Sequence, residues 1–158
     1  MTEPLHLLTV EQLCAELTAT EVAAIPAQVL GNEQAPQEEV HAWLSGMLLQ
    51  ACDSVVVAVN TCPRNKRIRT GLFKVPAGCV RTALVLARHA VISAIPGRAE
   101  TLEGGSRAAE YSTATRTLQQ LASCELLPEY DLGEADGSVG NSFGITLVLG
   151  GQTNDYMF

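Results

Sequence analysis

Between Pro36 and Asn60 the apolar residues fall at Val40, Trp43, Leu44, Met47, Leu48, Ala51, Cys52, Val55, Val56 and Val59. Steps of three and four place them on one face of a helix. Pro36 suits a first helical turn, and Glu38 and Glu39 complement the positive end of the helix dipole. The pattern predicts one long helix over Pro36–Asn60, central to its domain. The β-branched end, Ser54 to Val59, would also suit a strand, but the unbroken period favours helix. Val80, Leu84, Leu86, Ala87, Val91 and Ile95 mark another helix, over Pro76–Ile95, closed by Pro96 and Gly97. A third stripe runs from Ser106 to Pro128 through Ala108, Tyr111, Ala114 or Thr115, Leu118, Leu121 and Ala122. Ser106 reads as its cap and Pro128 as its stop.

Shorter elements precede these. Thr9 with Gln12 and Thr18 with Glu21 each have capping-box spacing, so two short helices are expected, over Val10–Leu17 and from Thr18 to near Pro26. Gly31–Ala35 and Thr61–Val75 read as loops. From Glu129 to Asn141 the chain is acidic and Gly-rich, like a linker. Phe143–Leu149 then gives a short β-rich apolar run. A lone strand needs a partner. Its apolar positions, Phe143, Ile145, Leu147 and Leu149, would serve either strand addition to another chain or an edge strand folded back on its own domain. The fold class expected is mainly α: a compact helical bundle with one long central helix, plus an extended C-terminal segment containing a short β-strand. Residues 1–132 form the helical domain and 133–158 the linker, strand and tail.

Composition narrows this picture. The chain has 158 residues, enough for one domain. With aromatics at 4%, the core must be built from Leu, Val, Ile and Ala. The net charge of −7 argues against a general nucleic-acid binder. One cationic cluster stands out: Arg64, Lys66, Arg67 and Arg69. It reads as a solvated loop or as a contact for an anionic surface. The five cysteines are odd in number and form no CxxC pair. They are expected to be reduced, without disulfides, with Cys14, Cys52, Cys79 and Cys124 inside helical patterns. The start of the chain does not read as a signal peptide, and no apolar segment is expected to reach the roughly 18 residues of a membrane span.

Catalytic patterns are not found. His6, His41 and His89 share no motif with a carboxylate or a cysteine, and HExxH, HxH and GxSxG are absent. Gly104, Gly105 and Ser106 precede a helix but lack a phosphate-binding lysine, so they read as a cap. The expectation is a protein that is not an enzyme and holds no metal or cofactor.

Three places resemble a known family. The LTVEQL start, the Val75-Pro76 step before an apolar helix, and Arg107–Leu127 with its Glu-Tyr pair are similar to tailed-bacteriophage head–tail adaptor proteins, including the connector proteins of Mu-like prophages. The resemblance spans Leu8–Leu132. One departure is Cys124, where family members often have Gly. The resemblance implies a virion protein of the neck region, assembled in the host cytoplasm. It implies a homo-oligomeric ring, taken as a dodecamer, beneath the portal protein. The ring would extend the channel for double-stranded DNA, without sequence specificity, and would dock a tail terminator or neck protein; no membrane is involved. The basic loop (Arg64, Lys66, Arg67, Arg69) and the Phe143–Leu149 strand are then the expected interfaces. The alternatives are a small cytosolic helical interaction or regulatory protein of a bacterium or prophage, and a DNA-binding module using the basic loop.

Overall fold

The computed structural model describes residues 3–98 and 105–132. The Phe143–Leu149 segment and the rest of 133–158 lie outside the described residues. Within them the chain is mainly helical, with a small two-stranded sheet. In chain order the elements are β1 (His6–Leu7), α1 (Val10–Cys14), α2 (Ala19–Ala24), α3 (Gln37–Thr61), β2 (Lys74–Val75), α4 (Val80–Ala94) and α5 (Gly105–Ala122).

Both capping boxes form. The Thr9 N–H donates to Gln12 Oε1 at 2.9 Å, and the Gln12 N–H donates back to Thr9 Oγ1 at 3.3 Å. The Thr18 N–H donates to Glu21 Oε1 at 2.8 Å, and the Glu21 N–H to Thr18 Oγ1 at 3.2 Å. Each box satisfies two backbone donors that a helix start otherwise leaves open. α1 is shorter than its pattern, ending at Cys14, with Leu17 N–H turning back to the Cys14 carbonyl. Pro26 does not end the next helical stretch: a wider π turn, Ile25–Val29, carries the chain past it. A π turn accommodates Pro26 in its first positions, where a missing N–H costs nothing.

α3 is the central element, packed against α1, α4, α5 and β2. Val40, Leu44, Leu48, Ala51, Cys52, Val55, Val56, Ala58 and Val59 are buried along it. Its β-branched end is helical, because burial on α4 and α5 outweighs the weak intrinsic cost of Val in a helix. A single 3₁₀ turn, Ala77–Cys79, follows Pro76 and leads into α4. The α3 stretch Gln37–Thr61 and the stretch Ala77–Ala94 are, by length and composition, apolar enough to cross a membrane. This corrects the expectation that no apolar segment is long enough to span. In the fold, 44% and 50% of their apolar windows are buried in the bundle.

The β1–β2 pair was not expected. His6 faces Val75 and Leu7 faces Lys74, antiparallel. Strands of two residues have no periodicity to detect. A second return was also missed. The Asp131 N–H donates to the Glu3 carbonyl at 2.7 Å, and Tyr130 is buried. Tyr130–Leu132 therefore pack on the domain, and the linker cannot begin at Glu129 as its composition suggested.

α5 docks through charge at one end. Its stripe buries Ala114 and Leu121, with Leu118 partly buried against the core. In its first turn, Arg107 Nη1 reaches Glu21 Oε2 at 2.6 Å. One turn on, Glu110 pairs with Arg81 and, at 2.7 Å, with Arg88. Arg88 is only 6% exposed and Glu21 2%. Glu16 closes the cluster, 2.6 Å from Arg81. Burial pushes the Glu21 carboxyl up, but Arg107 and the Thr18 N–H and hydroxyl together hold it below the usual carboxylate range. Hydrogen bonds from Arg88 and then Arg81 hold Glu110 low.

α5 ends at Ala122, six residues before Pro128. Cys124 occupies the left-handed position (φ 65°) just past the helix. The Glu125 N–H donates to the Gln120 carbonyl at 2.9 Å, and the Cys124 N–H to the Leu121 carbonyl at 3.3 Å. This is a Schellman closure, and the Cys124 position is one that Gly fills most easily. Cys124 is thus a helix terminator and not a residue within the helix.

Arg107→Met leaves the Glu21 carboxylate buried without its partner, and should lower unfolding free energy by roughly 3 kcal/mol. In urea denaturation, Glu21→Leu combined with Arg107→Met should recover much of that loss.

Acid should act through the same groups. Lowered carboxylate pKa values stabilise the fold fully above about pH 4.5, the unfolded value, and the gain is lost as pH falls through the folded values. Urea midpoints between pH 7 and pH 3 should therefore drop steeply below about pH 4.5. The Glu21→Leu/Arg107→Met protein should show a shallower drop.

Candidate functional site

The cations singled out by the sequence lie on one loop between the end of α3 and β2. Arg64, Lys66, Arg67 and Arg69 are all exposed. None of them has an ion-pair partner among the described residues. Between them Ile68 turns inward and is 2% exposed.

The loop has no regular secondary structure, yet its backbone is fixed at several points. Asn60, in the last turn of α3, holds Ile68 from both sides: Nδ2 donates to the Ile68 carbonyl at 2.8 Å, and Oδ1 accepts from the Ile68 N–H at 2.8 Å. Asn65 Nδ2 donates to the Val59 carbonyl at 2.9 Å, beside the Cys62 N–H that the same carbonyl accepts at 3.3 Å. The Tyr130 hydroxyl donates to the Lys66 carbonyl. Burial, and then the neighbouring Cys79, push the Tyr130 pKa up, which keeps this donor protonated. Asp53 Oδ1 accepts the Gly71 N–H at 2.8 Å, at a position (φ 82°) where side chains are strained. The Leu8 N–H donates to the Phe73 carbonyl at 2.9 Å.

The remaining pin is covalent. Cys62 and Cys124 form a disulfide, with their Cα atoms 5.3 Å apart. This corrects the expectation of a fully reduced chain. The two residues are 62 positions apart in sequence, so no local spacing signals the pairing. The bond joins the start of the basic loop to the end of α5. Cys14, Cys52 and Cys79 stay free. Burial, then the charge of Asp53, pushes the Cys52 thiol up to about 12, and burial alone takes Cys79 to about 11. Both are poor nucleophiles near neutral pH.

The residues that carried the family resemblance sit elsewhere and do structural work. Arg107 pairs with buried Glu21, Glu110 joins Arg81 and Arg88, and Tyr111 stacks on His89 with ring centroids 3.5 Å apart. His41 lies on the α3 surface, 4.0 Å from Glu11. The strand positions Phe143, Ile145, Leu147 and Leu149 lie outside the described residues.

Surface grooves flank α5. One, about 240 Å³, runs between α4 and α5 past Val85 and Ala114. Its charged groups, Arg81 and Glu110, bind each other. Another, about 310 Å³, is lined by Met47, Leu86 and the His89–Tyr111 stack. Among the described residues, no group of three or more His, Cys, Asp or Glu is placed to hold a metal ion. No protein-family model, curated protein or solved structure matches the chain.

Closing a loop of this length should stabilise the fold by about 4 kcal/mol. Thiol titration of the denatured chain should find three reactive groups before reduction and five after. Cys124→Gly removes the cross-link but relieves the left-handed strain by about 1 kcal/mol, so it should be less destabilising than Cys62→Ala. Thermal melts of the two variants check the order.

Proposed function

We propose that this protein is a structural adaptor of the tailed-phage head–tail junction. In this reading its subunits form a ring beneath the portal, continue the DNA channel and present a surface to the next neck or tail protein. One observation supports it most: in an acidic chain, a disulfide and several half-buried hydrogen bonds hold the backbone of one loop whose exposed cations have no ion-pair partner among the described residues. A loop kept only for solubility gains nothing from being fixed. A contact surface gains affinity, because the ordering cost is met before binding. The order of elements agrees: a short capped pair of helices, a long acid-started helix, the basic loop, a Pro-started helix and the Glu-Tyr helix.

The disulfide is compatible with this setting. Virion surfaces meet oxidising conditions after release, whereas the cytosol keeps thiols reduced. The bond would then close after release, and during assembly the loop would be held by its hydrogen bonds to Asn60, Asn65, Asp53 and Tyr130.

Co-expression with the portal protein encoded in the same genome tests the reading. Native mass measurement and electron cryo-microscopy should show a closed ring, dodecameric and seated on the portal. A chain that stays monomeric beside an assembled portal sinks the adaptor reading and favours a small regulatory or interaction protein.

A further inference from the structure

We propose that the Arg64–Arg69 loop is a contact site for the phosphate backbone of double-stranded DNA. The inference rests on the adaptor reading for the source of that DNA. The chemistry rests on the loop itself.

Two kinds of anionic partner are available in principle: an acidic protein surface and a nucleic-acid backbone. Protein interfaces place aromatic or aliphatic anchors at their centre and charges at the rim. This loop does the reverse. Its central apolar residue, Ile68, is turned inward and tied to Asn60, while the four cations are left outside. A run of charge with no exposed apolar residue within 64–69 fits phosphates, which are met by Arg and Lys with no packed core. Reach fits too. Five residue steps from Arg64 to Arg69 span at most about 17 Å, and a duplex offers one phosphate per about 3.4 Å of axis on each strand.

Charge balance sets the character of the contact. Without these four cations the chain holds six Lys and Arg against 17 Asp and Glu. By net charge the rest of the chain repels DNA, and among the described residues the loop gathers four exposed cations within six positions. A single chain should bind weakly and without sequence preference. A ring would multiply the contact by presenting many loops at once. Weak attraction at spaced points, on an otherwise repelling surface, positions a duplex without holding it fast.

The test uses the full chain, with its disulfide intact, and a random-sequence duplex of about 30 base pairs. Amide shifts are followed by NMR at 50 mM and 200 mM salt. Expected at low salt is binding near the weak end of non-specific affinities, roughly 10⁻⁴ M, with shift changes confined to residues 62–71. With two to four phosphates neutralised, the affinity should fall about 10- to 150-fold between the two salts. The variant Arg64→Gln/Lys66→Gln/Arg67→Gln/Arg69→Gln should lose binding at least about tenfold. None of the four side chains anchors the loop, so its melting temperature should stay near that of the parent chain. Absence of loop shifts at low salt overturns the inference, as does a variant that binds like the parent. Poly-glutamate of matched charge that binds the loop more tightly than the duplex also overturns it, and points to an acidic protein. A chain that rings on the portal but fails these tests loses this inference alone. A chain that passes them but forms no ring loses the adaptor reading alone.

Discussion

Arg88 is the constraint around which the bundle is organised. A guanidinium cannot give up its charge, so placing it 6% exposed on a core helix requires carboxylates to come to it. Glu110 comes from α5, 2.7 Å away, and Glu16, at 3.5 Å, from the turn after α1. Arg81 then shares both carboxylates, and Arg107 binds Glu21 alongside. Three stretches that are distant in sequence, residues 16–21, α4 and α5, are thereby fixed in one arrangement. Apolar stripes alone would allow α5 to slide or rotate by a turn on α3 and α4. The charges select one register.

The opposite end of α5 is fixed by different means. The helix stops in a Schellman closure at Cys124, and the disulfide to Cys62 ties that stop to the end of α3. Held at both ends, α5 becomes a rigid bar across the bundle. The basic loop springs from the same tie point, so the order of the loop follows from the order of α5. Asn60, Asn65, Asp53 and Tyr130 then set its path by satisfying loop or helix-end backbone groups. None of these four residues carries the loop's charge, and all of them position it.

The features that make the chain resemble a family and the features that would make it work are therefore separate. The Arg107, Glu110 and Tyr111 pattern is a docking device for a helix. Such a pattern persists wherever the same helix must be seated the same way, whatever the outer surface does. The cationic loop is the outer surface. Its polarity, opposite to that of the whole chain, suits a local contact and not a general affinity for polyanions.

Much was legible in the sequence alone. The period of α3 from Val40 to Val59, the two capping boxes, the Pro-led start before α4 and the cationic cluster each depend on neighbours within about four residues, and local backbone physics decides them. What the sequence could not show are pairings across long separations. The bond of Cys62 to Cys124, the burial of Glu21 against Arg107, the β1–β2 pair and the grip of Tyr130 on Lys66 each join residues tens of positions apart. Which cysteine, carboxylate or strand end finds which partner is determined by the packing of α3, α4 and α5. So is the difference between a solvated stretch of Arg and Lys and a loop held ready for contact. The sequence determined that these cations exist; tertiary structure decided how the backbone that carries them is tied down, because its ties to Cys124 and Tyr130 come from residues far along the chain.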